Sequence, residues 1–422
     1  MKFLHTDIGS AKDNFKSPIH NLYKFTAGFS YKFVDEIISL ENLKDNKDSK
    51  VFEPFAGCGT TLVSSQKSKV SAIGNEGQEF MFDVIKAKLN WSINPIQFEV
   101  KLLLIKNYIV QNLPKFDYEK NTHQLLKTLY EKYNLTILYL IRDGLLILDS
   151  QEYKLFFKLA LSQTLHKVSI HPIAVPYISR NKTLSNTKAV WDVFESIGRQ
   201  MLSDINLFSC GEQTSQIYMH DSRVENSLIK EGECSVCITS PPYLNNLDYG
   251  EVSKVHTHFY EYTNSWSDVT QKVRKKLVTG ATTHYTESDF NIDNFKLSEF
   301  YNFNKEIADS LIETTIEIKK ISRERAGKKS FDILTLLYFN DMYDVLKEIR
   351  RVVKKDGKAY LILGDSAPYG VFIPTTKILG EIAKNTGFND YEIHKIRARG
   401  TKWKSLKYRH SIELSENVLI LK

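Results

Sequence analysis

Short apolar runs alternate along the chain with longer stretches in which apolar residues recur every three or four positions. Residues 50–53 (Lys-Val-Phe-Glu) and 70–74 (Val-Ser-Ala-Ile-Gly) read as buried strands, with part of a helix over 60–67 between them. A second pair of strands is predicted at 216–219 and 235–239. Val345, Leu346, Ile349, Val352 and Val353 keep a helical period over 342–353. Asp356-Gly357 is expected to end that helix, with a strand over 358–363 to follow. Two further runs, 391–396 and 417–421, close the chain. Strands alternating with helices predict an α/β fold on a parallel-rich sheet.

Two long stretches interrupt this alternation. Residues 92–212 carry helical apolar spacing at 100–110, 125–133, 153–165 and 189–201. Residues 245–335 are more polar, with a basic run at Lys272, Arg274, Lys275 and Lys276 and a long candidate helix over 303–321. Both exceed an ordinary crossover connection. They read as substructures added to one core formed by 1–91, 213–244 and 336–422.

At ~150 residues per domain, the 422 residues allow two or three folding units. Hydrophobic residues at 42% and charged residues at 25% exclude disorder, collagen and a disulfide-stapled miniprotein. The 57 Lys plus Arg exceed the 50 Asp plus Glu, and a net charge of +7 permits a polyanionic partner without requiring one. Four cysteines (Cys58, Cys210, Cys234 and Cys237) fit a reducing compartment. Residues 1–15 hold no apolar signal core. The most apolar stretch, 135–148, is broken by Arg142 and Asp143, short of the ~18 residues a membrane span needs. The expectation is a cytoplasmic protein with no membrane partner.

Val51-Phe52-Glu53-Pro54-Phe55-Ala56-Gly57-Cys58-Gly59-Thr60-Thr61 reads as a strand, a tight glycine turn and a helix start. Glycine lets the backbone turn sharply and approach a ligand, and Thr60 or Thr61 can cap the helix. No Lys-Ser/Thr follows, so this is not a phosphate P-loop. Glu76, 17 residues after Gly59, stands where a nucleotide fold sets an acid against ribose hydroxyls. Asn75 precedes it directly.

Thr239-Ser240-Pro241-Pro242-Tyr243 follows the fourth strand. Two prolines stiffen the turn and remove two amide donors, so local carbonyls stand as unopposed acceptors. One side-chain oxygen and one carbonyl suit an exocyclic NH2 group and draw its nitrogen lone pair out of conjugation with the ring. An aromatic ring beside them can stack on a base taken out of its duplex.

The first string resembles motif I of the amino-methyltransferases of DNA, Asp/Glu-Pro-Phe-x-Gly-x-Gly-Thr-Thr. The second resembles their motif IV, Asp/Asn/Ser-Pro-Pro-aromatic. This resemblance implies a Rossmann-like class I methyltransferase core, with a mostly parallel seven-stranded sheet and two inserted, largely helical substructures. It implies S-adenosylmethionine as cofactor, without a metal, wrapped by Glu53, Pro54, Phe55, Ala56, Gly57, Cys58, Gly59, Thr60 and Thr61. Glu53 would face the cofactor's amino group and Glu76 its ribose. Ser240 and the Pro241 carbonyl would hold the target amine, Pro242 would stiffen the turn, and Tyr243 would stack on the base. Pro18-Ile19-His20-Asn21 and residues 28–34 resemble motif X, which sets Phe29 and Ser30 over the cofactor; Tyr31 replaces the usual Pro. Asp221 sits where the family contacts adenine, and Asp365 reads as a turn cap.

The order of cofactor motif, helical insertion and catalytic motif resembles the family's α arrangement. That order implies target recognition in 92–212 and leaves 245–335 as a candidate DNA clamp. Serine in the first position of motif IV is more usual among cytosine-N4 enzymes, aspartate among adenine-N6 enzymes. The expected function is site-specific methylation of double-stranded DNA at cytosine N4, in a restriction-modification or similar host-marking system with a possible cognate endonuclease. Adenine N6 is the nearest rival, followed by an RNA base methyltransferase or a non-catalytic nucleic-acid-binding protein on the same fold. Lys272, Arg274, Lys275 and Lys276 are the candidate phosphate contacts, with Arg397, Arg399 and Lys402 from the basic strip 391–410. That strip reads equally as a solvated strand face. Cys234 and Cys237 form one C-x-x-C inside a strand and read as buried thiols, and His256 and His258 lack a matching cluster.

Overall fold

The computed structural model describes residues 8–173, 178–184, 189–208, 215–245, 247–324, 329–399 and 412–422. Seven strands form its sheet: β1 (Lys50–Glu53), β2 (Ser71–Glu76), β3 (Ser215–Met219), β4 (Cys234–Thr239), β5 (Val353–Gly364), β6 (Tyr391–Arg399) and β7 (Leu414–Leu421). Their order is β3-β2-β1-β4-β5-β7-β6. The pairs from β3 through β5 are parallel, and β7 runs antiparallel to both of its neighbours. This is a Rossmann-like class I methyltransferase arrangement. Val51, Phe52, Val236, Cys237 and Ile238 are almost wholly buried, as strands covered on both faces require. The strand order reverses between β1 and β4, and that switch point opens a crevice at the carboxyl ends of both strands.

Around β5 the structure departs from the expected turn. The helix Phe331–Val352 runs directly into Val353, which already pairs with Cys234. Asp356-Gly357 does not stop a helix; residues 354–357 bulge out before pairing resumes between Lys358 and Val236. Gly357 is needed there, because a Cβ at that position would lie 2.6 Å from the Ser235 carbonyl oxygen.

The stretch 92–212 is helical, with Pro95–Asn112, Lys132–Leu146, Gln151–Val168 and Val190–Asn206 as its long members. The helix Gln151–Val168 packs on Glu79–Leu89 of the core, and the apolar cluster runs without a break from one to the other. The helix expected at 125–133 is only the short turn Gln124–Lys127. The apolar stretch after it forms Lys132–Leu146 instead, with Leu135, Leu138 and Ile141 fully buried. Arg142 lies at its rim, donating to Glu261 at 2.6 Å and to the Phe259 carbonyl at 3.0 Å. Residues 245–335 hold shorter helices and the long Lys305–Arg323. Among the described residues, no helix is long and apolar enough to cross a membrane.

Candidate active site

β1 ends at Glu53, and the turn that follows is drawn tight by two left-handed glycines, Gly57 (φ 54°) and Gly59 (φ 82°). A side chain is strained at either position. Gly59 then caps the helix Thr60–Lys67. Several bonds hold the turn open: the Gly57 amide donates to Glu76 Oε2 at 2.8 Å, and the Ala56 amide to the Asn75 carbonyl at 3.0 Å. From behind, the buried Lys88 ammonium donates to the Cys58 carbonyl at 2.7 Å.

Of the two neighbours at the end of β2, Glu76 faces the turn. Its Oε1 accepts the Gln78 amide at 2.8 Å, whereas the Asn75 side chain points away to Asn226 at 2.9 Å. Burial pushes the Glu76 carboxyl up to about 7. Glu53 has a different setting. It is 1% exposed and accepts from Thr61 Oγ1 at 2.7 Å, from the Phe55 amide at 3.0 Å and from the Thr239 hydroxyl. It ties β1 to β4 behind the turn and does not line the cleft; burial pushes it up to about 8.

The turn opens on a cleft walled by both polar and apolar residues. Of the residues singled out from sequence, Phe29, Pro54, Phe55, Ala56, Gly57, Cys58, Thr60, Glu76, Asp221, Ser240 and Pro242 line it. Ser30, Gly59, Thr61, Pro241 and Tyr243 lie outside that lining. Ser30 caps the helix Tyr31–Leu40 and donates to Asp13 at 3.0 Å. Asp221 is gripped by Arg223 through two nitrogens, at 2.6 and 3.0 Å. Asp365 accepts from Ser415 at 2.6 Å and from Thr376 at 3.2 Å, anchoring the turn after β5.

Ser240 is half-buried at the cleft end of β4. The Pro242 carbonyl is taken by the Tyr338 hydroxyl at 3.0 Å, while no described residue donates to the Pro241 carbonyl. Tyr243 is clamped: its hydroxyl donates to Glu416 Oε1 at 3.0 Å, and the Arg399 guanidinium lies 4.8 Å from its ring centroid. Gly364 makes room for both, since a Cβ there would lie 1.9 Å from Arg399 Nη1 and 3.0 Å from Tyr243 Cδ2. Glu416 is 3% exposed and pairs with Arg397 Nε at 2.6 Å. Sequence reasoning passed over this acid. Its one signal was an acid just ahead of the apolar run 418–421.

The basic residues divide. Arg274 is 1% exposed, its guanidinium bonded to Asp248 at 2.8 and 3.0 Å, to Thr270 at 2.9 Å and set 4.0 Å over the Trp266 ring. Its charge is neutralised inside the protein, which corrects its reading as a phosphate contact. Lys272 and Lys275 are exposed, and Lys276 reaches the rim of the cleft, its backbone pressed against Gly77. Arg397 and Arg399 are engaged by Glu416 and Tyr243, and Lys402 lies outside the described residues. Cys234 and Cys237 are buried thiols.

No family profile and no solved structure matches the chain. It is 20% identical to the Type II methyltransferase M.MvaI of Kocuria varians over 416 residues, 92% of this chain and 84% of that protein. It is 22% identical to the Type II methyltransferase M.AvaI of Nostoc sp. over 417 residues, 92% of this chain and 82% of that protein. The M.AvaI of Anabaena variabilis gives the same figures. A span of 92% takes in most of both insertions as well as the motif-bearing core.

Proposed function

We propose that the chain transfers a methyl group from S-adenosylmethionine to an exocyclic amine of double-stranded DNA, and that the amine is N4 of cytosine. One observation carries the reading. Ser240, an acceptor for an amine, opens onto the same cleft as Gly57 and Glu76. The distant relatives, named Type II methyltransferases, support DNA as the substrate and a host-marking role beside a cognate endonuclease.

The residues present fit this cofactor. A Cβ on Gly57 would meet nothing within 3.8 Å, so the bare backbone faces open space where a ligand can approach. Glu76 offers a carboxylate to ribose hydroxyls, and Phe29, Met81 and Val278 give apolar walls. Bound there, S-adenosylmethionine supplies an electrophilic methyl group. Ser240 and the Pro241 carbonyl accept the two N–H bonds of the amine and aim its lone pair along the cleft. Catalysis then rests on positioning and on acceptors fixed before the reaction. The helical stretch 92–212 reads the sequence, and 245–335 grips the backbone through exposed lysines such as Lys272 and Lys275.

Incubating plasmid DNA with the purified chain and S-adenosylmethionine, then resolving the nucleosides by mass spectrometry, tests this. N4-methyldeoxycytidine is the expected product. N6-methyldeoxyadenosine would keep the amine chemistry and move the target to adenine. Cofactor binding with no methylated DNA base would sink the proposal.

A further inference from the structure

We propose that Arg223 is a positioning residue for cofactor binding, which latches residues 275–279 of the insertion 245–335 against the core as a wall of the cofactor cleft. The inference rests on the cofactor reading above and deepens it.

Arg223 follows β3 in a turn that its own amide tightens, donating to Asp221 Oδ1 at 3.0 Å. Its guanidinium then joins three parts of the chain. Nη2 donates to Asp221 Oδ2 at 2.6 Å and to the Lys275 carbonyl at 2.6 Å, and Nη1 donates to Asp341 Oδ2 at 3.2 Å. Asp341 is 9% exposed on the helix Phe331–Val352, and a carboxylate so placed needs donors. Two more come from the far end of the strap, where the Thr279 amide and hydroxyl both reach Asp341 Oδ2 at 2.8 Å. The strap is thus held at Lys275 by Arg223 itself and at Thr279 by the acid that Arg223 pairs. Only a planar fork of donors serves acids on two elements and a carbonyl on a third.

Between these anchors the strap passes over the residue after Glu76. Lys276, Leu277 and Val278 line the cleft. A Cβ on Gly77 would lie 2.8 Å from the Lys276 carbonyl oxygen and 3.3 Å from Leu277 Cδ2, so glycine alone admits the strap at this distance. The next residue ties to the same insertion, since the Gln78 side chain donates to the Tyr249 carbonyl at 3.1 Å. The side chains of Lys275 and Lys276 are exposed while their carbonyls meet the core. A segment that only gripped DNA would have no reason to close on the end of β2; this one is fixed there from both ends.

The test is a double-mutant cycle of Arg223→Lys and Gly77→Ala, read in calorimetric S-adenosylmethionine affinity, with steady-state DNA methylation and thermal melting alongside. Lysine keeps the charge and loses the fork; alanine spares the latch and pushes the strap away. Each single variant should weaken cofactor binding about five- to tenfold, the scale of one hydrogen bond, and raise the cofactor KM in step. At saturating cofactor, kcat should stay within about twofold. A merely destabilised fold would do the reverse, lowering the active fraction and so kcat while sparing the affinity of the molecules still folded. Because both changes free one strap, the double variant should bind about as weakly as the weaker single one. Losses that multiply in it would put the two residues on independent walls and overturn the latch. Wild-type cofactor affinity in Gly77→Ala would overturn the proposal and leave the strap to DNA alone. If Arg223→Lys fails to fold, Gly77→Ala decides by itself. A wild-type chain that binds no S-adenosylmethionine removes the cofactor reading and this inference together.

Discussion

The Gly57 amide donates to the Glu76 carboxylate at 2.8 Å, joining the turn after β1 to the end of β2. This bond sets the floor of the cleft. It aims the carboxylate along the backbone of the turn at the edge of the cleft, with Oε2 held by Gly57 and Oε1 by the Gln78 amide. Left-handed φ at Gly57 brings the amide into line, and any side chain there adds both strain and bulk.

Replacing Gly57 with valine should therefore lower S-adenosylmethionine affinity by a factor of ten or more. The fold should survive, because a Cβ at 57 meets no protein atom closer than 3.8 Å. The backbone strain costs about 1–2 kcal/mol, more for a β-branched residue than for alanine. Calorimetric titration beside a melting curve checks this, and unchanged affinity would remove Gly57 from the site.

Glu76 predicts two pH trends of opposite sign. Its unfolded carboxyl titrates near 4.5 and its folded one, raised by burial, near about 7. Between those values the folded chain holds the extra proton, so this group's contribution to stability is full below the window and shrinks as pH rises through it. Ribose hydroxyls donate to the ionised form, so cofactor affinity should instead climb as pH passes about 7. Glu76→Gln should flatten both curves against wild type. An affinity rise that persists unchanged in the variant would assign the titration to another group.

The central part of this site was legible in the sequence because it is local. The glycine turn and the Ser-Pro-Pro-Tyr turn each directly follow a strand, β1 and β4, whose burial on both faces gives a continuous apolar run. What escaped depends on partners far along the chain. Glu416 meets Tyr243 across 173 residues, and no spacing rule links them. Arg274 reads as one more cation in a basic run until Asp248 folds against it. The helix Lys132–Leu146 hid for another reason: buried among other helices, it lacks the polar face that gives a surface helix its period. Glu53 shows a further limit, since a motif locates an acid at the end of β1 but not the hydroxyls of Thr61 and Thr239 that turn it inward.

The split within the basic run gives a contrast between two neighbours. Arg274→Gln would leave Asp248 short of its bidentate partner and open space beneath Trp266, a loss of about 3–5 kcal/mol in urea unfolding. Lys275→Gln, at an exposed position, should leave the unfolding midpoint unchanged. Neutralising Lys272, Lys275 and Lys276 together should instead weaken DNA binding and lower its salt slope by up to about 0.9 for each phosphate that no longer meets a cation. Weaker DNA binding by Arg274→Gln at full stability would restore that arginine to the interface.

Ser240 and Tyr243 stand on one turn and should fail differently. If Ser240 holds the target amine as proposed, Ser240→Ala removes an acceptor that matters most as the amine nitrogen rehybridises and positive charge develops on it. The loss should fall on kcat, at roughly 2–4 kcal/mol if the serine acts as other preorganised hydrogen-bonding groups do. If the Tyr243 ring stacks on the base, as the motif implies, Tyr243→Ala removes a platform of ~1–3 kcal/mol per base and should weaken capture of the extruded base as well. It also leaves Arg399 without the ring beneath it, 4.8 Å away in the wild type, and Glu416 without the phenol that donates to it. Fluorescence of 2-aminopurine at the target position separates the two, since it rises when the base leaves the stack. Ser240→Ala should keep the wild-type fluorescence change and lose turnover; Tyr243→Ala should lose both. Because Ser240 lines the same cleft as Gly57, the cofactor affinity of Ser240→Ala is the decisive control. A fall in that affinity equal to the fall in turnover would make the serine a cofactor contact and leave the amine without its acceptor.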